Sequence, residues 1–187
     1  SHFNTLDMTL AGTMAGVLAC MLLAQHPQAD AVARRGWMTA CWAAMAAAVL
    51  AKGLVGVALP GLVLVVYTLA ARDWGLWRRL HAAIGVPVML AIAVPWFVLI
   101  DARNPEFAHF FFIQEHWLRF TTKMHHRVEP AWFFLPILVA GAWPWLLAMT
   151  AGWVAALRRP AGPAFSPALF LGLWALVVLG FFSASGS

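Results

Sequence analysis

The sequence predicts an all-α polytopic membrane protein with about six transmembrane helices and one further helix lying along the outer surface of the bilayer. Three observations carry this prediction. Hydrophobic residues make up 63% of the 187 and charged residues only 10%, against roughly 25% charged in an ordinary soluble domain. The apolar residues fall in six blocks that reach or approach the roughly 20 residues a helix needs to cross a hydrocarbon core, where no water satisfies exposed backbone groups. Arginines collect in alternate loops between these blocks, the pattern produced when positive residues are retained on the cytoplasmic side.

The first block covers residues 7 to 25. Asp7 stands at its outer end, either capping the helix or facing a wet site, because a carboxylate at membrane level is costly to bury without a cation or a functional cavity. Gly12 and Gly16 form a small-xxx-small pattern that reads as close helix packing. A cytoplasmic loop over 26 to 36 carries Arg34 and Arg35. Residues 37 to 51 and 54 to 71 are short, and read as a tight helical hairpin turning at Lys52 and Gly53. Placing Lys52 mid-membrane in one long helix instead would cost roughly 2.5 to 3.5 kcal/mol. The next loop, 72 to 81, holds Arg72, Arg78 and Arg79. Blocks 82 to 100, 132 to 157 and 165 to 183 complete the bundle, with Arg158 and Arg159 in the loop 158 to 164. Seven of the twelve basic residues thus face the cytoplasm. Pro60, Pro87, Pro95, Pro136 and Pro144 fall inside apolar helices, where neighbouring helices can re-satisfy the freed carbonyls. Cys20 and Cys41 lie in apolar stretches without metal or redox spacing and read as small core residues.

Residues 101 to 131 form the long outer loop. Asn104-Pro105-Glu106 is a good helix start: Asn caps, Pro fits the first turn and Glu complements the dipole. Phe107, Phe110, Phe111, Gln114, Trp117, Leu118 and Thr121 then recur at three- and four-residue spacing, which predicts an interfacial helix on the outer leaflet. Trp132 follows at headgroup level.

Five cations sit on the outer side against the positive-inside bias: Lys52, Arg103, Arg119, Lys123 and Arg127. Guanidinium groups bind phosphate oxygens in pairs and an ammonium supplies a point charge, so the cluster suits a phosphate, and contact with lipid headgroups is the competing reading. Glu115 stands four residues before Arg119, as a surface ion pair would. His109, His116, His125 and His126 are ligand-type side chains, but they lack the i, i+4 spacing that puts two ligands on one helical face. Walker-type loops, dinucleotide fingerprints, serine triads and nucleic-acid modules are absent from the sequence.

An ordered set of short motifs adds to this reading. Asn4-Thr5-Leu6-Asp7, Ala51-Lys52-Gly53-Leu54 with Leu59-Pro60, Pro95-Trp96-Phe97, Asn104-Pro105-Glu106-Phe107, Gln114-Glu115-His116 through Arg119-Phe120, His125-His126-Arg127 and the final Phe181-Phe182-Ser183-Ala184-Ser185-Gly186-Ser187 together cover essentially the whole chain. In this order they resemble the bacterial lipid A aminoarabinose transferases, membrane glycosyltransferases of the GT-C architecture related to protein O-mannosyltransferases. The resemblance implies a multi-pass protein of the bacterial inner membrane, active on its periplasmic side. It implies transfer of 4-amino-4-deoxy-L-arabinose from undecaprenyl phosphate to a lipid A phosphate, and with it resistance to polymyxin. It implies catalytic roles for Asp7, Lys52 and Glu115, donor-phosphate binding by Arg119 with Lys123 and Arg127 beside it, and His116, His125 and His126 as a hydrogen-bonding set or ligands to a divalent metal such as zinc. The expected partners are the lipid-linked sugar, lipid A and membrane lipids, with no nucleic acid. The family's principal catalytic aspartate, in a first periplasmic loop, and its C-terminal soluble domain have no counterpart here, so residues 1 to 187 are expected to be the central part of one transmembrane domain and inactive alone. Transfer of another polyprenyl-linked sugar, a transporter segment and a non-catalytic assembly piece are the alternatives.

Overall fold

The structure, a computed structural model, describes residues 4–104, 136, 139–141, 143–158 and 165–185. Among these the regular structure is all helical: α1 (Asn4–Ala24), α2 (Ala31–Lys52), α3 (Val55–Ala71), the single turn α4 (Leu76–Arg79), α5 (Ala82–Arg103), a 3-10 turn (Trp143–Trp145), α6 (Leu146–Arg158) and α7 (Pro167–Ser185). Each of the six longer helices falls on one of the six apolar blocks, α6 on the second half of block 132 to 157, whose first half lies largely outside the described residues, and the architecture is that of an all-α polytopic membrane protein. By length and hydropathy α5 clears the requirement for a span unaided, with a mean hydropathy of 2.4. Only 11% of its most apolar 18 residues are buried, as expected of a helix whose solvent is lipid. The interfacial helix expected after Asn104 lies outside the described residues.

Two boundary differences from the sequence reading move charged residues onto helices. The loop expected over 26 to 36 ends at Asp30, because the Asp30 carboxylate accepts the Ala33 N–H at 2.6 Å and starts α2 six residues early. Arg34 and Arg35 therefore lie in the first turns of α2 rather than in a loop. α5 continues to Arg103, three residues past the expected end, so Asp101 and Arg103 stand on a helix.

The α2–α3 hairpin forms where Lys52 and Gly53 predict it. Gly53 takes φ 77°, a left-handed conformation that glycine adopts without a side-chain clash, while its N–H still bonds the Val49 carbonyl at 2.7 Å. Gly56 then lies against the α2 backbone, where a Cβ would come within 2.6 Å of Ala48 C and Val49 N. Of the two glycines in the α1 pattern, Gly16 faces Ala44 at ordinary contact distance, whereas an added Cβ at Gly12 meets nothing within 4 Å. Close packing therefore uses only half of that motif. Cys41 is buried and its thiol donates to the Val17 carbonyl at 3.5 Å, while Cys20 is half-buried. Both are core residues, as expected.

The core lies between α1, α2, α3 and α7, with Val17, Met21, Met38, Val63, Tyr67 and Phe170 almost fully enclosed. Tyr67 ties it together. Its ring packs on Phe165 and Phe170 at centroid distances of 5.1 and 5.5 Å, and its hydroxyl oxygen accepts the Ser166 N–H at 2.8 Å just before α7 begins. Tyr67→Phe retains the ring contacts and removes that acceptor, so full-length protein in detergent is expected to lose about 1 kcal/mol. Tyr67→Ala, which also opens a cavity, is expected to cost about 3 to 5 kcal/mol. Thermal unfolding of both variants reads the two effects, and wild-type stability of Tyr67→Phe would mean that the hydroxyl contributes nothing.

Candidate functional site

The hairpin geometry decides which ends meet. α1 and α2 run antiparallel, and the Gly16–Ala44 approach fixes their register. Asp7 is nine residues before Gly16 and Lys52 eight after Ala44, so at about 1.5 Å rise per residue both backbones stand about 12 to 14 Å toward the same end. A carboxylate-bearing and an ammonium-bearing position, separated by 45 residues of sequence, thus share one level at the outer end of the bundle. The Lys52 side chain is exposed there, at the C-terminus of α2, where the helix dipole favours a cation.

α5 supplies a wall to this end. It packs on α2 through Gly85, which lies against the Trp42 ring, and the Trp42 Nε1–H donates to the Leu80 carbonyl at 2.9 Å just before α5 starts. α5 runs parallel to α2, and Arg103 is 18 residues beyond Gly85 while Lys52 is ten beyond Trp42. Along the axes α5 thus rises about 12 Å past the α2–α3 turn. Val98, Leu99, Asp101, Arg103 and Asn104 are exposed on that extension. The sequence reading placed Arg103 among the outer cations and passed over Asp101, which its position in the last turn of α5 brings to the same end. A reading that extended the helix to the Asn104-Pro105 boundary would have found it.

Glu115, His116, Arg119, Lys123, His125, His126 and Arg127 lie outside the described residues. Among the described residues no group of three or more His, Cys, Asp or Glu side chains could hold a metal ion.

At the other end, Arg34 donates from Nε to the Ala24 carbonyl at 3.1 Å and from Nη2 to the Ala29 carbonyl at 3.4 Å, closing the C-terminus of α1. Arg79 pairs with Asp73, and the Trp77 indole donates to Thr68 Oγ1 at 3.1 Å. Above them is an apolar cavity of about 140 Å³ between α1, α2, α3 and α7, reached by Met21, Met38, Trp42, Trp77, Leu80 and Trp174. The cavity lies at mid-bundle, its lining running from Val57 and Pro60 in the outer half of α3 to Trp77 and Leu80 on the cytoplasmic side.

No profile of a known protein family matches the chain. It is 35% identical over 147 residues to the undecaprenyl phosphate-alpha-4-amino-4-deoxy-L-arabinose arabinosyl transferase of Shewanella sediminis, a match covering 75% of this chain and 25% of that protein. It is 37% identical over 166 residues to the transferase of the same name from Pseudomonas aeruginosa (strain LESB58), covering 83% and 28%. Among solved structures it is similar to ArnT from Cupriavidus metallidurans bound to undecaprenyl phosphate, with 60% identity, a TM-score of 0.87 and coverage of 98% of this chain and 32% of that one. The apo state of that protein gives 58% identity and a TM-score of 0.84, covering 97% and 32%. The chain thus spans about a quarter of the length of the curated relatives it matches.

Proposed function

Because the chain belongs to the undecaprenyl phosphate-aminoarabinose arabinosyltransferase family, we propose that it forms the central membrane portion of an enzyme moving 4-amino-4-deoxy-L-arabinose from undecaprenyl phosphate to a phosphate of lipid A. The reaction takes place on the periplasmic face of the bacterial inner membrane, and the product is a less anionic outer-membrane lipid that confers polymyxin resistance. The observation that carries this reading is the likeness, at 60% identity over 98% of the chain, to a structure holding undecaprenyl phosphate. The common level of Asp7 and Lys52, at the end opposite the cytoplasmic arginines, supports it.

In this reaction an acceptor phosphate oxygen attacks the anomeric carbon, the bond from that carbon to the prenyl phosphate oxygen breaks, and undecaprenyl phosphate leaves with the bonding pair. Charge gathers on the departing phosphate, so cations preorganised around it lower the barrier more than they stabilise the bound donor. Arg119 takes the donor phosphate in this proposal, with Lys123, Arg127 and Lys52 adding positive charge. Asp7 and Glu115 hold the amino sugar, whose ammonium group and positive anomeric carbon both favour a nearby carboxylate. His116, His125 and His126 are the proposed zinc or hydrogen-bonding set. Imidazole nitrogens suit zinc, and a bound divalent cation would contribute further charge toward phosphate.

Full-length protein expressed in a bacterium lacking its own transferase tests the proposal by lipid A mass spectrometry. Wild type is expected to add one aminoarabinose mass and raise polymyxin resistance, while Arg119→Ala at equal membrane abundance adds none. An unmodified lipid A with wild type would assign the chain to another lipid-linked sugar system. Unimpaired modification by Arg119→Ala would remove that residue from the site.

A further inference from the structure

The cytoplasmic end carries a second set of features that sugar transfer on the far side does not use. The α1 stripe facing the apolar cavity, Val17 and Met21, continues one turn on to Gln25. That residue is only 7% exposed, and its Nε2 donors find no acceptor. Buried amide donors are seldom left unsatisfied in native structures. Arg34 Nε donates to the carbonyl of Ala24, the residue before Gln25. Arg35 is exposed one turn before the cavity-lining Met38, and Arg78 is exposed between the cavity-lining Trp77 and Leu80. The carboxylates nearby are Asp30, which accepts the Ala33 N–H, and Asp73, which is paired with Arg79. Trp37 and Trp74 are also exposed at this end, as aromatic residues at a headgroup layer are.

We propose that this end binds one anionic diacyl phospholipid of the cytoplasmic leaflet, with part of one acyl chain in the cavity, the ester region against the Gln25 amide, and the phosphate against Arg34, Arg35 and Arg78. The cavity lining is almost wholly apolar, so it favours hydrocarbon over water. The unsatisfied amide calls for an oxygen acceptor at the point where the apolar lining ends. The guanidinium groups beyond it call for negative charge, and a basic pocket between helices on the cytoplasmic side is where anionic headgroups bind. A zwitterionic lipid would satisfy the first two features and offer the third only a phosphate whose charge is offset by its own ammonium group. The site depends on the bundle and its orientation, and it is independent of which sugar the enzyme moves.

The test is native mass spectrometry of the full-length protein titrated with phosphatidylglycerol, and separately with phosphatidylcholine of the same acyl chains. Phosphatidylglycerol is expected to bind at least about fivefold more tightly, and Arg35→Gln and Arg78→Gln are each expected to lower its binding about fivefold at low salt. The Arg35→Lys, Arg78→Lys pair keeps the charge and most of the binding. Gly61→Leu probes the cavity directly: Gly61 lines it, and an added Cβ meets nothing within 4 Å. That variant is expected to lose the bound lipid at unchanged melting temperature. Equal binding of the two lipids, wild-type binding by the Arg35→Gln, Arg78→Gln double variant, or wild-type binding by Gly61→Leu would each overturn the assignment.

Discussion

Gly56→Val is expected to prevent the α2–α3 hairpin from closing and to strip the full-length protein from the membrane fraction. An alanine there already places its Cβ 2.6 Å from the backbone of Ala48 and Val49. Neither partner is a flexible side chain that can swing aside, so the helices must separate. Close backbone approach at small residues supplies much of the association between membrane helices, because lipid offers no hydrophobic drive for it. Overpacking a well-packed site costs typically about 1 to 3 kcal/mol, and with backbone on the opposing side Gly56→Ala belongs at the upper end, with valine above it. Gly12→Ala is the control. It meets nothing within 4 Å and exchanges glycine for the best helix former, a gain of up to about 1 kcal/mol. Membrane abundance and the temperature of heat aggregation measure both variants. If Gly56→Ala matches wild type in both, the close approach is not what closes the hairpin.

The same hairpin illustrates what the sequence could disclose. Composition and block length located every long helix among the described residues, and the cost of burying Lys52 put the turn at Lys52 and Gly53, because these are strong local terms. Gly56 was invisible, since its value lies in what faces it from another helix. The missed start of α2 is a different kind of error. Counting Arg34 and Arg35 as loop residues followed hydropathy, whereas Asp30 before Ala31, Val32 and Ala33 was a capping signal that governs the boundary more directly. The link from Tyr67 to Ser166 crosses 99 residues, and neither local periodicity nor charge alternation encodes it. Of the site, the sequence offered residue types and the side of the membrane. Asp7 and Lys52 came to one level only through the Gly16–Ala44 register, which no spacing within either helix contains.

That shared level leads to the prediction with the largest effect on activity. Lys52→Gln and Asp7→Asn, each in the full-length enzyme, are expected to lower kcat/KM for sugar transfer by about a hundredfold or more, the scale seen when one preorganised electrostatic group is removed from a transition state. Each residue also has a plain structural role available. Lys52 ends α2 and Asp7 lies near the start of α1, and both charges suit the local helix dipole at about 0.3 to 1 kcal/mol each. A purely dipolar role would lower the melting temperature by a few degrees and leave kcat/KM alone, whereas the catalytic role lowers kcat/KM at nearly constant stability. The double variant sharpens the distinction. Groups acting on one transition state are strongly non-additive, so the pair together should lose much less than the product of the two single losses. Full multiplication would mean that Asp7 and Lys52 act independently, and that their common level follows from the packing of α1 on α2 without serving a shared reaction centre.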